Sequence, residues 1–148
     1  MTSSEIIFRE RLTPRAYVFL IVEALILMVA IAYGAPFGAR TGWVIFVGIS
    51  VLAVWAMIAT SPVIEVSTTH LRAGAAMIDR ELITSTEPCD SEAFRMARGR
   101  DADPRRFSIL RSWHSGSGAV ITIGDDRDPH PAWIVTTARP HELAAALA

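Results

Sequence analysis

Two long apolar runs occupy much of the first 60 residues. Residues 16–33 carry a single charge, Glu23, and residues 43–60 carry none. As helices, with 1.5 Å of rise per residue, each run is about 27 Å long, close to the roughly 30 Å hydrocarbon core of a bilayer. Residues 34–42, GAPFGARTG, are rich in Gly and Pro, which stop helices. The pattern predicts a transmembrane helical hairpin over residues 16–60, with spans at 16–33 and 43–60, after an N-terminal segment at 1–15.

Two other interpretations of the first run compete with this one. A cleaved secretory signal also has a basic start and an apolar run, but its apolar run is shorter, and here a second span follows almost at once. Buried helices of a soluble protein are the other alternative. Two apolar runs of this length, beside a polar domain, favour membrane spans over both.

Arginine counting predicts the orientation of the hairpin. Arg9, Arg11 and Arg15 precede the first span, whereas the connecting segment carries only Arg40. Positively charged residues concentrate on the cytoplasmic side of membrane proteins. We therefore expect a multi-pass protein of the cell (inner) membrane whose N-terminus and C-terminal domain are both cytoplasmic.

Residues 61–148 follow a different pattern, with short β-branched segments that alternate apolar and polar positions. They predict seven strands, at residues 62–67, 70–73, 76–79, 82–86, 107–113, 119–123 and 132–137. Asp90 or Ser91 is expected to cap a short helix at residues 92–98, and a second helix is predicted at 139–147. The predicted class is therefore an α+β membrane protein, in which the hairpin precedes a small seven-strand bent barrel or sandwich (residues 61–148) with a C-terminal helix. Its bulky core residues are predicted to be Phe107, Trp113 and Trp133.

The composition argues against several classes of function. The formal net charge is -1, whereas a nucleic-acid-binding protein needs surplus Arg and Lys to neutralise phosphates. The single cysteine, Cys89, can neither form a disulfide within the chain nor hold a structural zinc ion alone, and it fits a reducing compartment. With 51% hydrophobic residues and a mean hydropathy of +0.36, the chain is more apolar than a typical soluble domain.

Glu23 is the one charge inside a predicted span. A carboxyl group at mid-span costs about 2.5–3.5 kcal/mol on insertion scales, so it normally faces protein, water or a partner. Folding the hairpin about its loop places Glu23 level with residues 50–52, where Ser50 could donate a hydrogen bond to it. The other interpretations are a polar contact with a partner subunit, a protonated carboxyl group, a position near the lipid headgroups, and a proton relay.

An arginine-rich stretch at residues 95–106 is the second candidate site. Close to a membrane, these arginines would attract anionic lipid headgroups, at about 1 kcal/mol for each residue that reaches the surface. Asp101 and Asp103 lie in the same stretch, so the alternative is a solvated loop tied by local Arg–Asp pairs of little energetic value. The candidate lipid contacts are Arg95, Arg98, Arg100, Arg105 and Arg106.

No constellation typical of catalysis or of metal binding stands out in the sequence. Asp125, Asp126 and Asp128 lack the glycine and the glutamate of an EF-hand loop, and they indicate a polar hairpin turn. The four histidines are scattered without ligand spacing. A nucleophilic Cys89 would need a paired base, which the sequence does not single out. We therefore expect no catalytic residue, no metal site and no cofactor.

Several ordered motifs cover nearly the whole chain: FRERL before the first span, VIEVSTTHLRAG, DPRRFSILRSW, DPHPAWIVTTARP and the ending HELAAAL. Together with the two adjacent spans, they resemble a family of small two-span membrane proteins from actinobacteria that is known only as a domain of unknown function. The resemblance implies a cytosolic half similar to bacterial pleckstrin-homology-like (PH-like) domains, which are seven-strand bent barrels capped by a C-terminal helix. The family has no established activity, so the resemblance implies no catalytic residues.

These observations favour a protein without enzymatic activity. The leading hypothesis is a membrane-anchored interaction module, in which the hairpin holds a PH-like domain against the inner leaflet and an exposed strand edge or groove binds a protein or a lipid. The alternative is an accessory subunit of a larger membrane complex. In that case the hairpin packs on other helices through Glu23 and the small residues Ala30, Gly48 and Ala53.

Overall fold

The computed structural model of the chain describes residues 5–99, 104–125 and 128–148, which fall into two compact units. One unit is helical and covers Thr13–Ser61. The other is mostly β-structure and combines the residues up to Leu12 with Pro62–Ala148. The helical unit is therefore inserted into the sequence of the β unit, and the residues on either side of it fold together.

The helical unit consists of two helices, α1 (Ala16–Phe37) and α2 (Ala39–Ala59), that fold back on one another. Both are long and apolar enough to cross a membrane, and few of their residues are buried. Only Gly38 separates them, with a φ of 94°, a left-handed value that glycine adopts without strain. The loop predicted at residues 34–42 is thus mostly helical, because one glycine suffices to reverse the chain.

The two helices approach closely near this turn, where small residues face each other. A Cβ built on Gly42 would lie 2.8 Å from the Ala30 carbonyl oxygen and 3.2 Å from Gly34 Cα. Small residues permit such an approach of two helix backbones. Ala30, predicted above to pack on other helices, is buried within the hairpin instead, whereas a Cβ on Gly48 would meet nothing within 4 Å.

The β unit begins before the hairpin, with a strand that the sequence analysis did not predict. Strand β1 (Ile6–Arg11) pairs antiparallel with β2 (Val63–Ser67), which follows the hairpin. The sheet continues with β3 (His70–Ala73) and β4 (Ala76–Asp79), in the order β1-β2-β3-β4. The N-terminal segment predicted at residues 1–15, before the first span, thus contains an edge strand of the β unit.

A second sheet of four strands has the order β5-β7-β8-β6. Its strands are β5 (Ile83–Cys89), β6 (Phe107–Ile109), β7 (Gly118–Ile123) and β8 (Ala132–Thr136). The β5–β7 and β7–β8 pairs are antiparallel, whereas β6 pairs parallel with β8. Helix α3 (Ser91–Ala97) follows β5, and helix α4 (Pro140–Leu147) follows β8. The described residues therefore form two four-stranded sheets rather than the seven strands predicted.

The two sheets share one hydrophobic core, which α4 completes. Ile64 and Val66 alternate on the inner face of β2 and are fully buried. They belong to one cluster with Ile121 and Val135 of the second sheet and with Leu143 of α4. Because burying apolar surface contributes about 25 cal/mol per Å², this shared cluster is what holds the two sheets together.

The aromatic residues predicted for this core divide into two groups. Trp133 is 4% exposed in the core, and Phe107 packs against it. Trp113 is 47% exposed, so the prediction that it fills the core is wrong. The reason is that β6 ends at Ile109 instead of continuing to residue 113, and the chain then turns outward.

Candidate functional site

Glu10, on β1, is a buried carboxyl group of the β unit, with 8% of its surface exposed. Thr137 Oγ1 donates a hydrogen bond to its Oε2, and the Ala138 backbone N–H donates to its Oε1 at 2.9 Å. His114 Nε2 lies 2.8 Å from the same Oε1. Burying a carboxyl group is costly unless it finds such partners. We call Glu10, His114 and Thr137 the Glu10 clasp.

The Glu10 clasp joins three parts of the chain that are distant in sequence. Strand β1 turns Phe8 and Glu10 to its buried face because alternate strand residues point the same way. Thr137 directly follows β8, and its carbonyl oxygen accepts a hydrogen bond from Ser117 Oγ at 2.8 Å. His114 lies in the connection between β6 and β7. The clasp therefore fastens this connection to both sheets.

Directly before His114 the chain makes a tight turn with an exposed tip. The His114 N–H donates to the Arg111 carbonyl oxygen at 2.8 Å, and the Arg111 N–H donates to Thr136 Oγ1 at 3.0 Å. We call Arg111, Ser112 and Trp113 the RSW turn. Since its base is bonded to β8 and to the Glu10 clasp, the turn presents the half-exposed Trp113 ring from a fixed backbone.

Helix α3 brings a further arginine to the RSW turn. Asp90 caps this helix, its Oδ1 accepting two backbone N–H groups of the first turn at 3.0 and 2.8 Å. Phe94 is fully buried over Gly118, where a Cβ would lie only 2.1 Å from the ring. With the helix fixed in this way, Arg98 Nη1 donates to Ser112 Oγ at 3.2 Å.

Two guanidinium groups and one indole thus lie on a single surface. The Arg98 Cζ is 5.0 Å from the centroid of the Phe94 ring, and the Arg111 Cζ is 5.6 Å from that of Trp113. Both distances are within the range of a cation–π contact. These contacts orient the cations without neutralising them.

The other predicted arginines are more scattered. Arg95 and Arg105 are exposed, and Arg106 is half-buried. Arg100 lies outside the described residues. The Arg98 side chain bonds to Ser112 of the RSW turn. Arg111, which the sequence analysis did not select, lies in the turn itself.

In the helical unit, the structure brings Glu23 and Ser50 together. Ser50 Oγ donates to Glu23 Oε2 at 2.6 Å, and both residues are half-buried. Among the described residues, Ser50 is the one hydrogen-bond partner of Glu23, so Oε1 is left without a donor there. Nearer the turn, an open apolar groove of about 320 Å³ is lined by residues of both helices that include Leu27, Ala30 and Trp43.

Residues suited to catalysis or metal binding are otherwise dispersed. Over residues 5–99, 104–125 and 128–148, no three His, Cys, Asp or Glu side chains are grouped so as to hold a metal ion. Cys89 is buried, and this burial, together with the charge of Glu87, raises the pKa of its thiol. In the predicted polar turn, Asp128 Oδ1 accepts the His130 N–H at 2.8 Å, while Asp126 lies outside the described residues.

The contacts of Glu10 and His114 and the exposed position of Trp113 were not predicted from the sequence. One signal was available, because the FRERL segment alternates in the way that a strand does, with Phe8, Glu10 and Leu12 on one face. The ILRSW motif also contains Arg111 and Trp113 of the RSW turn. Neither motif indicates by itself that β1 and the RSW turn are joined through His114.

Comparison with known proteins yields one match. The chain matches the model of a family described as "Protein of unknown function (DUF3093)" over residues 7–147. The match covers both units described above, from β1 to α4. No curated protein and no solved structure matches the chain.

Proposed function

We propose, from the premise that the chain belongs to the DUF3093 family of proteins of unknown function, that it is a membrane-anchored interaction module without enzymatic activity. The hairpin is the anchor, and the β unit is the part that binds at the inner face of the cell membrane. The observation that carries this proposal is the pairing of β1 with β2 across the inserted hairpin.

This pairing fits a hairpin that crosses the membrane twice. In the register of the two strands, Arg11 lies opposite Val63, so the last residue of β1 and the first residue of β2 are neighbours. Two spans return the chain to the side that it left, whereas one or three would separate β1 from β2. The even number of apolar helices between paired strands therefore supports the membrane assignment.

The cytoplasmic orientation follows from the distribution of arginines. Arg9, Arg11 and Arg15 lie before α1, whereas Arg40 is the one basic residue near the turn between the helices. By the positive-inside rule, the β unit and both termini are cytoplasmic.

We also propose that the β unit is PH-like. Strands β1–β5, β7 and β8 form seven antiparallel strands, and α4 follows the last of them. Seven of the eight described strands thus pair antiparallel and are followed by a C-terminal helix, and these two features support the proposal. Strand β6, which pairs parallel at the edge of the second sheet, is then part of an insertion between β5 and β7.

The burial and hydrogen bonding of Glu10 and His114 support a binding role without catalysis. The carboxyl oxygens of Glu10 are occupied by bonds within the Glu10 clasp, and only 13% of the His114 side chain is exposed. A catalytic acid or base needs to reach a substrate proton, which this buried pair does not. Beside this pair, Trp113 is exposed and Arg98 and Arg111 are half-buried, and these are residue types that bind ligands.

Replacing the hairpin tests the proposal. A chain in which residues 16–59 are exchanged for an unrelated two-span hairpin is expected to stay in the membrane fraction and to keep the binding partners of the native chain. The measurement is detergent extraction with mass spectrometry of co-purifying molecules, beside the native chain. Full-length native protein that stays in the supernatant after ultracentrifugation, without detergent, would contradict the anchor.

A second candidate function is supported by one observation, the Glu23–Ser50 pair. Glu23 Oε1 has no hydrogen bond among the described residues, and a carboxyl oxygen in a bilayer favours a donor from a neighbouring helix. The alternative is thus an accessory subunit of a larger membrane complex that packs through the hairpin. The hairpin exchange separates the two functions, because an accessory subunit loses its partners in that experiment.

Glu23→Leu tests this alternative directly. If a partner helix donates to Glu23, the substitution removes the partner from the co-purified material while improving insertion of the span. Ile21→Leu, at an exposed apolar position of the same helix, is the matched control. Unchanged co-purification with Glu23→Leu would exclude the accessory-subunit proposal.

A further inference from the structure

We infer that the RSW turn and Arg98 form a contact site for anionic phospholipid headgroups, an inference that rests on the proposed function. Arg98 and Arg111 supply positive charge, and Trp113 supplies an amphipathic ring. The surface that they contact is the bilayer that holds the hairpin.

The two arginines have donors to offer. Among the described residues, each guanidinium makes one hydrogen bond, Arg98 to Ser112 Oγ and Arg111 to the Leu110 carbonyl oxygen at 3.0 Å. A guanidinium carries five N–H donors in a fixed fork that matches phosphate geometry. Neither arginine forms an ion pair with a carboxyl group of the described chain. Both therefore keep their charge and most of their donors for a ligand.

The surroundings of the turn share this sign of charge. Residues 91–99 and 104–117 contain five arginines and one acidic residue, Glu92. Asp101 and Asp103 belong to the stretch between these ranges and lie outside the described residues. The described surface is thus complementary to an anionic one.

Trp113 and the anchor favour a bilayer over a soluble anion. An indole ring prefers the headgroup level of a membrane, and Trp113 is 47% exposed beside the two cations. Four residues (12–15) join β1 to α1, and three (60–62) join α2 to β2. Such short connections hold the β unit at a high local concentration near the lipid, so a weak contact suffices.

Trp113 fluorescence in the full-length protein tests this inference. Trp43 and Trp55 are replaced by Phe, which leaves Trp113 and the buried Trp133 of the four tryptophans. The protein is placed in nanodiscs of phosphatidylcholine alone, or of phosphatidylcholine with phosphatidylglycerol. We expect phosphatidylglycerol to shift Trp113 emission to the blue and to protect Trp113 from quenching by acrylamide. The same protein with Trp113→Phe gives the Trp133 background.

Arginine variants and salt separate a lipid contact from a change in structure. Arg98→Gln and Arg111→Gln are each expected to lower the ratio of lipid-bound to free turn about fivefold. Arg72→Gln, an exposed arginine on β3, is the matched control and is expected to change nothing. In the protein with the native RSW turn, high salt is expected to reverse the protection of Trp113 from acrylamide. This test of the charge contribution needs no substitution near the site.

Each other outcome overturns the inference. If acrylamide quenches Trp113 equally well in both kinds of disc, the lipid contact is absent. If Trp113 is equally protected in both kinds of disc, the protection does not depend on anionic lipid. Protection that occurs in native membranes but not in anionic discs indicates a protein partner instead of lipid. A chain that fails to enter nanodiscs contradicts the anchor, whereas one that enters with Trp113 open contradicts only the lipid contact.

Discussion

Glu10 is the residue on which the geometry of the exposed site depends. It accepts hydrogen bonds from Thr137 and Ala138, and it contacts His114, the residue that directly follows the RSW turn. Removing one partner of a buried hydrogen bond costs about 1–3 kcal/mol, because the remaining group loses water without gaining a replacement. The carboxyl group therefore matters for stability and for the position of Trp113 alike.

Glu10→Ala is expected to lower the free energy of unfolding by about 2–3 kcal/mol, since it leaves several buried polar groups unpaired. Thermal or denaturant unfolding of the purified protein in detergent measures this loss. Glu81→Ala, at an exposed position, is the control and is expected to change stability by less than about 0.5 kcal/mol. Equal stability of the two variants would contradict the structural role of Glu10.

Cys89 is expected to react slowly with iodoacetamide in the native protein. Burial, and after it the charge of Glu87, raises the pKa of the thiol, so less of it is thiolate at any pH below that value. The native alkylation rate should therefore keep rising with pH beyond the point where a free thiol levels off. Mass spectrometry over time gives the rate, with denatured protein as the control. Native labelling as fast as denatured labelling would contradict this environment.

At the residue scale, contacts within one regular element were predicted from the sequence, whereas contacts between distant segments were not. Glu23 and Ser50 lie within the hairpin, where a regular helix geometry relates one position to the other. Glu10 and His114 are 104 positions apart, and no local pattern relates them. Trp113 was predicted to be buried because large aromatic side chains usually are, but its turn faces outward.

Among the elements, the hairpin depends on the close crossing of α1 and α2. Gly42 permits it, because even a methyl group there would meet the Ala30 carbonyl oxygen at 2.8 Å. The crossing lies near Gly38, so the length of the turn and the spacing of the helices are coupled. A single-residue turn can join two helices only if their ends lie close together.

Gly42→Ala is expected to destabilise the hairpin by about 1–3 kcal/mol, the usual cost of overpacking. Gly48→Ala is the matched control, because it is the same change on the same helix with open space around the new methyl group. That control is expected to be neutral or stabilising, since alanine favours helix more than glycine does. Unfolding in mixed micelles compares the two. A Gly42→Ala protein as stable as the control would contradict the tight crossing.

Elements were predicted well where the pattern was regular and poorly where it was broken. Residues 70–73 and 76–79 form strands with the predicted bounds, since short alternating runs flank the turn at Gly74. The predicted loop at residues 34–42 is mostly helical, because Gly and Pro near a helix end do not prevent the helix from continuing. Strand β1 was not predicted because its partner strand, β2, lies beyond the hairpin in the sequence. A six-residue segment is stable as a strand only when it pairs with another strand.

At the scale of the whole molecule, both ends of the chain belong to the β unit. We therefore expect reporters fused before residue 1 and after Ala148 to lie on the same side of the membrane, the cytoplasmic side. Green fluorescent protein and alkaline phosphatase fusions, each tested at both ends, measure this. A reporter at the turn, near Gly38, is the control and is expected to be periplasmic. Termini on opposite sides would contradict the β1–β2 pairing.

The insertion of the hairpin between β1 and β2 also determines the order of events during synthesis. Strand β1 leaves the ribosome before either helix, and its partner β2 only after both. The β unit thus cannot be completed until the two helices have been made. In the membrane anchor that we propose, a chain inserted with the wrong topology would leave β1 and β2 on opposite sides of the lipid. Such a chain lacks an edge strand and exposes its apolar interior to proteases. With the proposed anchor, completion of the β unit therefore depends on correct insertion of the hairpin.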